Sequence, residues 1–139
     1  MPANAAPAPN RQLVPRAKLW LEQDGRVAMS DYRVRLLELV AATGSLTRAA
    51  AAMGLSYRRA WGKVRELEES LAFPLVESRV GGASGGGSVL SAEGVALVAA
   101  YRRFQERVTG ELATAFAAEL ADIARDADPA ARRPANRSA

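Results

Sequence analysis

The sequence predicts a mainly α-helical fold with one small β-hairpin, and three observations support this. Between residues 30 and 73, apolar residues recur at helical spacing in three segments, each preceded by a serine suited to cap a helix. Two short candidate strands then flank a glycine-rich loop at 81–87, which is typical of a hairpin. A last apolar repeat runs from Ala92 to about Ile123, which corresponds to a helix about 48 Å long.

The first part of the chain predicts a short strand and a helix. Residues 17–22 alternate enough for a strand, and residues 23–26 have turn chemistry. Ser30 or Asp31 can cap the first helix, which ends at Gly44, where a positive φ favours glycine. Its apolar residues are Val34, Leu36, Leu37, Leu39 and Val40.

The next two helices form a compact pair. Ser45 can cap a short helix over 46–53 that stops at Gly54, and Ser56 can cap a third helix that ends at Phe73 before Pro74. One stripe of this third helix holds Ala60, Val64, Leu67 and Leu71, and we expect Trp61 to pack at its edge. A helix-turn-helix followed by the hairpin strands 75–80 and 88–91 predicts a winged helix-turn-helix, with a long C-terminal dimerisation helix.

We divide the chain accordingly into four parts. A disordered tail is expected at 1–16, the winged helix-turn-helix at 17–91, the dimerisation helix at 92–125 and a second disordered tail at 126–139. No apolar run approaches the roughly 20 residues that span a bilayer, and the N-terminus lacks the apolar centre of a secretory signal. We therefore expect a cytoplasmic protein without membrane contact.

Composition excludes most enzyme classes. The 139 residues contain no cysteine and no histidine, so disulfides, Cys/His zinc sites, thiol nucleophiles and histidine proton relays are absent. Carboxylates occur, but no paired acids in an apolar setting and no nucleophile with a base are evident. We therefore predict neither an enzyme nor a cofactor.

Charge is concentrated in one segment. The whole chain carries +4, whereas residues 45–65 alone carry +5 with no acid, and Glu66, Glu68 and Glu69 follow at once. A solvated helix face with ordinary i,i+4 ion pairs would explain this pattern, and so would a polyanionic partner. The basic residues of the segment are Arg48, Arg58, Arg59, Lys63 and Arg65.

When the third helix is projected at about 100° per residue, the position of its charges favours the explanation by a polyanionic partner. Arg58, Arg59, Gly62 and Arg65 lie opposite the apolar stripe, with the cations in the leading turns and the acids further along. A helix that enters the major groove N-terminus first needs this polarity. We predict that Arg58 and Arg59 read bases and that Lys63 and Arg65 contact phosphates.

Other residues complete the predicted DNA-contacting set. Gly62 costs about 1 kcal/mol relative to alanine in a helix, so either it lets a backbone approach closely or it is a tolerated accident. Tyr57 suits core packing or DNA contact equally well, and the glycine-rich tip gives the wing room to lie against a groove. The full set is Thr47, Arg48, Ser56, Tyr57, Arg58, Arg59, Gly62, Lys63, Arg65 and Arg79.

The apolar pattern of the fourth helix predicts that a partner helix packs against it. Leu97, Tyr101, Phe104 and Val108 are spaced by alternating steps of four and three, which forms a heptad seam; from Leu112 onward the spacing is in steps of four and drifts like a stutter. A helix of this length cannot bury its whole stripe on so small a domain, so we expect a second copy to cover it.

Residues 44–94 resemble the N-terminal domain of molybdate-responsive ModE regulators. The resemblance rests on Ser-Tyr-x-x-Ala-Trp from Ser56, the glycine-rich 81–87 and the Leu-Ser-x-x-Gly exit at 90–94; LysR-type regulators are more loosely similar. It implies a homodimer joined through the N-terminal strand, with Leu19, and the fourth helix, on a palindromic operator. Full-length members carry C-terminal molybdate-binding domains, whereas this chain ends about 16 residues past Ile123. We therefore expect no molybdate binding by this chain.

Two functional hypotheses follow. The first is a dimeric, sequence-specific transcriptional regulator that binds double-stranded DNA. The second is a winged-helix protein-interaction module with weak or no specific DNA binding. The basic segment favours the first.

Overall fold

The computed structural model describes residues 12–80 and 87–126. The elements run in the order β1 (Trp20–Gln23), β2 (Arg26–Ser30), α1 (Asp31–Thr43), α2 (Leu46–Ala52), α3 (Tyr57–Leu71), β3 (Val76–Arg79), β4 (Gly87–Leu90) and α4 (Ala92–Asp126). Residues 18–106 form one compact unit, and residues 12–17 and 107–126 belong to a second. The predicted mainly helical winged helix-turn-helix is confirmed. Both predicted tails lie largely outside the described residues.

The N-terminal segment forms a hairpin rather than the single predicted strand. β1 and β2 pair antiparallel from Trp20 opposite Ser30 to Gln23 opposite Arg26. Asp24 and Gly25 both have positive φ, 51° and 75°, which matches the tight turn that the Asp-Gly pair favours. β2 was not predicted, because its pairing partner is what makes it a strand.

Serine caps begin α1, α2 and α3 as the sequence predicts. The side chains of Ser30, Ser45 and Ser56 accept hydrogen bonds from the backbone N–H three residues on, at 3.3, 3.1 and 3.2 Å. α1 ends at Gly44 with φ of 68°, also as predicted. α3 ends two residues before the predicted Phe73, because Ala72 adopts a left-handed conformation with φ of 62°.

Two apolar clusters hold the helices and the wing together. The first joins α1, α2 and α3 through Leu36, Val40, Leu46, Ala49, Ala50, Ala60 and Val64. The second joins β2, α1, α3 and α4 through Met29, Val34, Leu37, Leu67, Leu75 and Tyr101. Val76 and Leu90, which pair across the wing strands, pack against both clusters, so the wing is fixed on the helices.

Backbone contacts seat the wing against the turn between α1 and α2. The Ser88 N–H donates to the Gly44 carbonyl at 2.9 Å. A Cβ on Gly87 would lie 2.6 Å from that same carbonyl oxygen, so only glycine allows this approach. The connection at 81–86, which includes most of the predicted glycine-rich tip, lies outside the described residues.

The start of α4 is fixed by a buried serine and a second close approach. Ser91 Oγ donates to the Pro74 carbonyl at 2.6 Å and accepts from the Gly94 N–H at 3.0 Å. A Cβ on Gly94 would lie 2.5 Å from the Leu75 carbonyl oxygen. The Leu-Ser-x-x-Gly exit is therefore a packing motif.

Polar contacts tie α4 to α1. Arg102 pairs with Asp31 at 2.7 Å and with Glu38, and its hydrogen bond lowers the pKa of Asp31. Tyr101, which the heptad pattern places on a dimer seam, is instead only 3% exposed in the core of its own chain. Its hydroxyl donates to the Leu19 carbonyl at 3.0 Å, and burial raises the pKa of the phenol. Leu97 also packs against the second cluster.

No helix within residues 12–80 and 87–126 is both long enough and apolar enough to cross a bilayer.

The left-handed Ala72 generates a stability prediction. Because a Cβ is disfavoured at positive φ, we expect Ala72→Gly to raise the free energy of unfolding by about 0.5–1 kcal/mol in urea denaturation. Ala41→Gly, at an exposed position inside α1, serves as the control and should lower it by about 1 kcal/mol. Destabilisation by both substitutions would contradict the assigned end of α3.

Candidate nucleic-acid interface

α3 presents a basic surface because its opposite face is buried. Ala60, Val64 and Leu67 are each at most 1% exposed, which fixes the rotation of the helix about its axis. Arg58, Arg59 and Arg65 are accordingly exposed. The leading turns of α3 therefore present cations to solvent, as the sequence predicts.

The cations of the 45–65 segment have no carboxylate partners among the described residues. The ion pairs found there join Arg33 to Glu66 at 2.8 Å and Arg102 to Asp31 and Glu38. None of them uses a cation of the 45–65 segment or Arg79. The i,i+4 ion pairs that would explain the charge as an ordinary helix face are therefore not formed in this part of the chain.

Two of the acids that follow the basic segment serve the fold. Glu66 is bound to Arg33 of α1, and that arginine also donates to the Ala28 carbonyl at 3.2 Å. Glu68 Oε2 accepts from the backbone N–H of Leu75 at 2.7 Å and of Val76 at 3.4 Å, which holds the turn from α3 into the wing. Because these carboxylates are engaged elsewhere, they leave the leading cations unneutralised.

Aromatic rings lie beside two of the α3 cations. The Lys63 ammonium lies 5.1 Å from the centre of the Tyr32 ring, and the Arg65 guanidinium lies 5.8 Å from that of Trp61. The expectation that Trp61 packs in the core is wrong, since the residue is 36% exposed and belongs to neither apolar cluster. Tyr32 had no role in the sequence interpretation, because its place beside Lys63 depends on how α1 packs against α3.

Internal packing does not account for two further residues of α3. A Cβ on Gly62 would meet no atom within 4 Å, so internal packing does not require glycine there. Tyr57 is 54% exposed, which removes the core-packing interpretation of its ring.

The remaining predicted residues lie on α2, on the cap of α3 and on the wing. Thr47 and Arg48 are exposed in the first turn of α2. Ser56 is exposed and accepts from the Arg59 N–H, which leaves its hydroxyl hydrogen free to donate. Arg79 is exposed at the end of β3, opposite Gly87.

Known proteins are similar to this part of the chain. Residues 32–95 match the family described as bacterial regulatory helix-turn-helix protein, lysR family. The chain is 39% identical over 89 residues to the molybdenum transport protein ModE of Azotobacter vinelandii, an alignment that covers 64% of this chain and 33% of that protein. It is 38% identical over 83 residues to the DNA-binding transcriptional dual regulator ModE of Escherichia coli K12, covering 60% of this chain and 32% of that protein.

Among solved structures, the chain is similar to the DNA-binding domain of CbnR in a complex with DNA. The alignment covers 65% of this chain and 98% of that one, with 24% identity and a TM-score of 0.49. The chain spans about a third of the length of the two ModE relatives.

Proposed function

We propose that this chain is a sequence-specific transcriptional regulator, because residues 32–95 match the lysR-family helix-turn-helix and the chain is similar to ModE regulators. It binds a palindromic operator as a homodimer, with one α3 in the major groove of each half-site. The observation that carries the proposal is the row of exposed cations on α3 that no described carboxylate neutralises.

The position of each cation suggests its role. Arg58 and Arg59 are exposed in the first turn of α3, the part of a recognition helix that reaches base edges, and arginine reads guanine through two hydrogen bonds. Lys63 and Arg65 lie one to two turns later and suit phosphates. Thr47, Arg48, Ser56, Tyr57 and Arg79 surround them on neighbouring surfaces and suit the sugar-phosphate backbone.

Substitutions separate base reading from phosphate contact. The preferred duplex is first selected from a pool of random sequences. On that duplex we expect Arg58→Ala or Arg59→Ala to weaken the binding free energy by about 1–3 kcal/mol, and on random duplex by much less. Lys63→Ala should weaken binding to all sequences alike. It should also reduce the magnitude of the slope of log affinity against log salt concentration by about 1. Titrations monitored by fluorescence anisotropy measure both effects.

Arg103→Ala, at an exposed cation of α4 outside the helix-turn-helix and wing, is the control and should leave affinity unchanged. Equal losses on every sequence for Arg58→Ala and Arg59→Ala would contradict their base-reading role. If no sequence is enriched and binding shows no steep salt dependence, the protein-interaction module becomes the better hypothesis.

Gly62 gives a test in which stability and binding change in opposite directions. Gly62→Ala should raise the free energy of unfolding by about 1 kcal/mol, because the added methyl enters open space in a helix. If the α3 backbone approaches DNA there, the same methyl should weaken operator binding about fivefold or more, as a mismatched base pair does.

Gly110→Ala is the matched control for Gly62. A Cβ on Gly110 also meets nothing within 4 Å, and it lies on α4. This variant should be stabilised without a change in DNA affinity. Unchanged operator binding by Gly62→Ala would show that this glycine is a tolerated accident.

The dimer is proposed through α4 and the N-terminal strand. Phe104 is 41% exposed on α4, Val108 and Leu112 are half-buried, and Leu19 is half-buried before β1. Large apolar side chains at this spacing favour a helix from a second copy.

We expect Phe104→Glu to convert a dimer into a monomer in size-exclusion chromatography with light scattering, because the new charge would be buried at the seam. Arg103→Ala should remain dimeric. A wild-type protein that is monomeric at tens of micromolar, or a Phe104→Glu variant that stays dimeric, would contradict this seam.

Two further expectations accompany the regulator proposal. A protein that acts on chromosomal operators works in the cytoplasm of a bacterial cell. We expect these 139 residues not to bind molybdate, and titration calorimetry with molybdate tests this directly.

A further inference from the structure

Two cations of α3 lie over aromatic rings rather than beside carboxylates. Lys63 faces the ring of Tyr32, which comes from α1, and Arg65 faces the ring of Trp61, one turn earlier on α3 itself. Tyr32 is 41% exposed and Trp61 36% exposed, and neither residue belongs to the two apolar clusters.

The two cations lie on opposite flanks of α3. Residues two apart on a helix are separated by about 200°, and Gly62 lies in the arc between Lys63 and Arg65. If that arc faces the floor of a major groove, each flank faces one of the two phosphate backbones that border the groove. Each flanking cation therefore has its own ring and its own side of the groove.

A ring restrains a cation without neutralising it. A carboxylate partner would fix the side chain as well, but it would compete with phosphate and cancel the charge that releases counterions. A ring face attracts the cation while leaving N–H groups of the ammonium or guanidinium free to donate to phosphate oxygens. Restraint before binding also reduces the side-chain entropy lost on binding.

We infer that Tyr32 and Trp61 are positioning residues that hold Lys63 and Arg65 in place for phosphates on the two sides of the groove. The inference rests on the proposed DNA-binding function and adds two residues to its interface. Tyr32 lies on α1, outside the α2–α3 helix-turn-helix pair, so α1 contributes to DNA affinity through Lys63.

A double-mutant cycle on the full chain tests the Tyr32 half. Tyr32→Leu should weaken binding to every duplex about two- to fivefold, whereas Tyr32→Phe, which keeps the ring, should bind like the wild type. In a Lys63→Ala background, Tyr32→Leu should have no further effect, because the residue acts only through Lys63. Trp61→Leu with Arg65→Ala forms the corresponding cycle on the other flank.

Proton NMR of the free protein supplies a readout that a purely structural role would not change. The Lys63 Hε resonances should be shifted upfield by the Tyr32 ring and should return towards ordinary lysine values in Tyr32→Leu. Tyr32→Phe should retain the upfield shift. Amide spectra of the variants report whether the fold is kept.

The outcomes separate this inference from the proposed function. If Tyr32→Leu binds DNA as tightly as the wild type or more tightly, or loses affinity equally with and without Lys63, the positioning role is overturned while the regulator proposal stands. An absent upfield shift at Lys63 overturns it as well. If the wild type binds no DNA, the proposed function fails, and this inference fails with it.

Discussion

Burial of one stripe of α3 orients the side chains that this helix contributes to the proposed interface. Ala60, Val64 and Leu67 are enclosed by clusters that also include residues of α1, α2, β2 and α4, so the helix cannot rotate without opening the core. Once that face is fixed, Arg58 and Arg59 must point outward. The same packing brings α1 close enough for Tyr32 to lie beside Lys63, so the core determines the direction of the charges and the restraint on one of them.

The acids downstream of the basic segment have a complementary role. Glu66 and Glu68 would repel phosphate if they were free, yet one is bound to Arg33 and the other to backbone amides of the turn into β3. Their charges therefore stabilise the scaffold next to the interface. Close backbone approaches at Gly87 and Gly94 complete that scaffold by seating β4 and α4 against carbonyl groups. Glu66 remains 65% exposed but is paired with Arg33, whereas the cations of α3 have no carboxylate partner among the described residues.

Local signals in the sequence were sufficient for much of this fold, and features that depend on tertiary contact were not. Serine caps and Gly44 define helix ends through interactions within a few residues, so the elements could be predicted. β2 required its partner strand. Tyr101 fits a heptad seam, but periodicity does not distinguish a side chain covered by its own chain from one covered by a second copy. Trp61 was expected in the core from its position at the edge of the stripe, whereas it is exposed beside Arg65.

The outward face of α3 is expected to meet DNA, and amide chemical shifts measure this contact most directly. In a titration of ¹⁵N-labelled protein with short duplex DNA at low salt, the largest shifts are expected in residues 56–66, with smaller ones at Thr47, Arg48 and Arg79. Shifts confined to the β1–β2 hairpin or to α4, with α3 unchanged, would contradict the account.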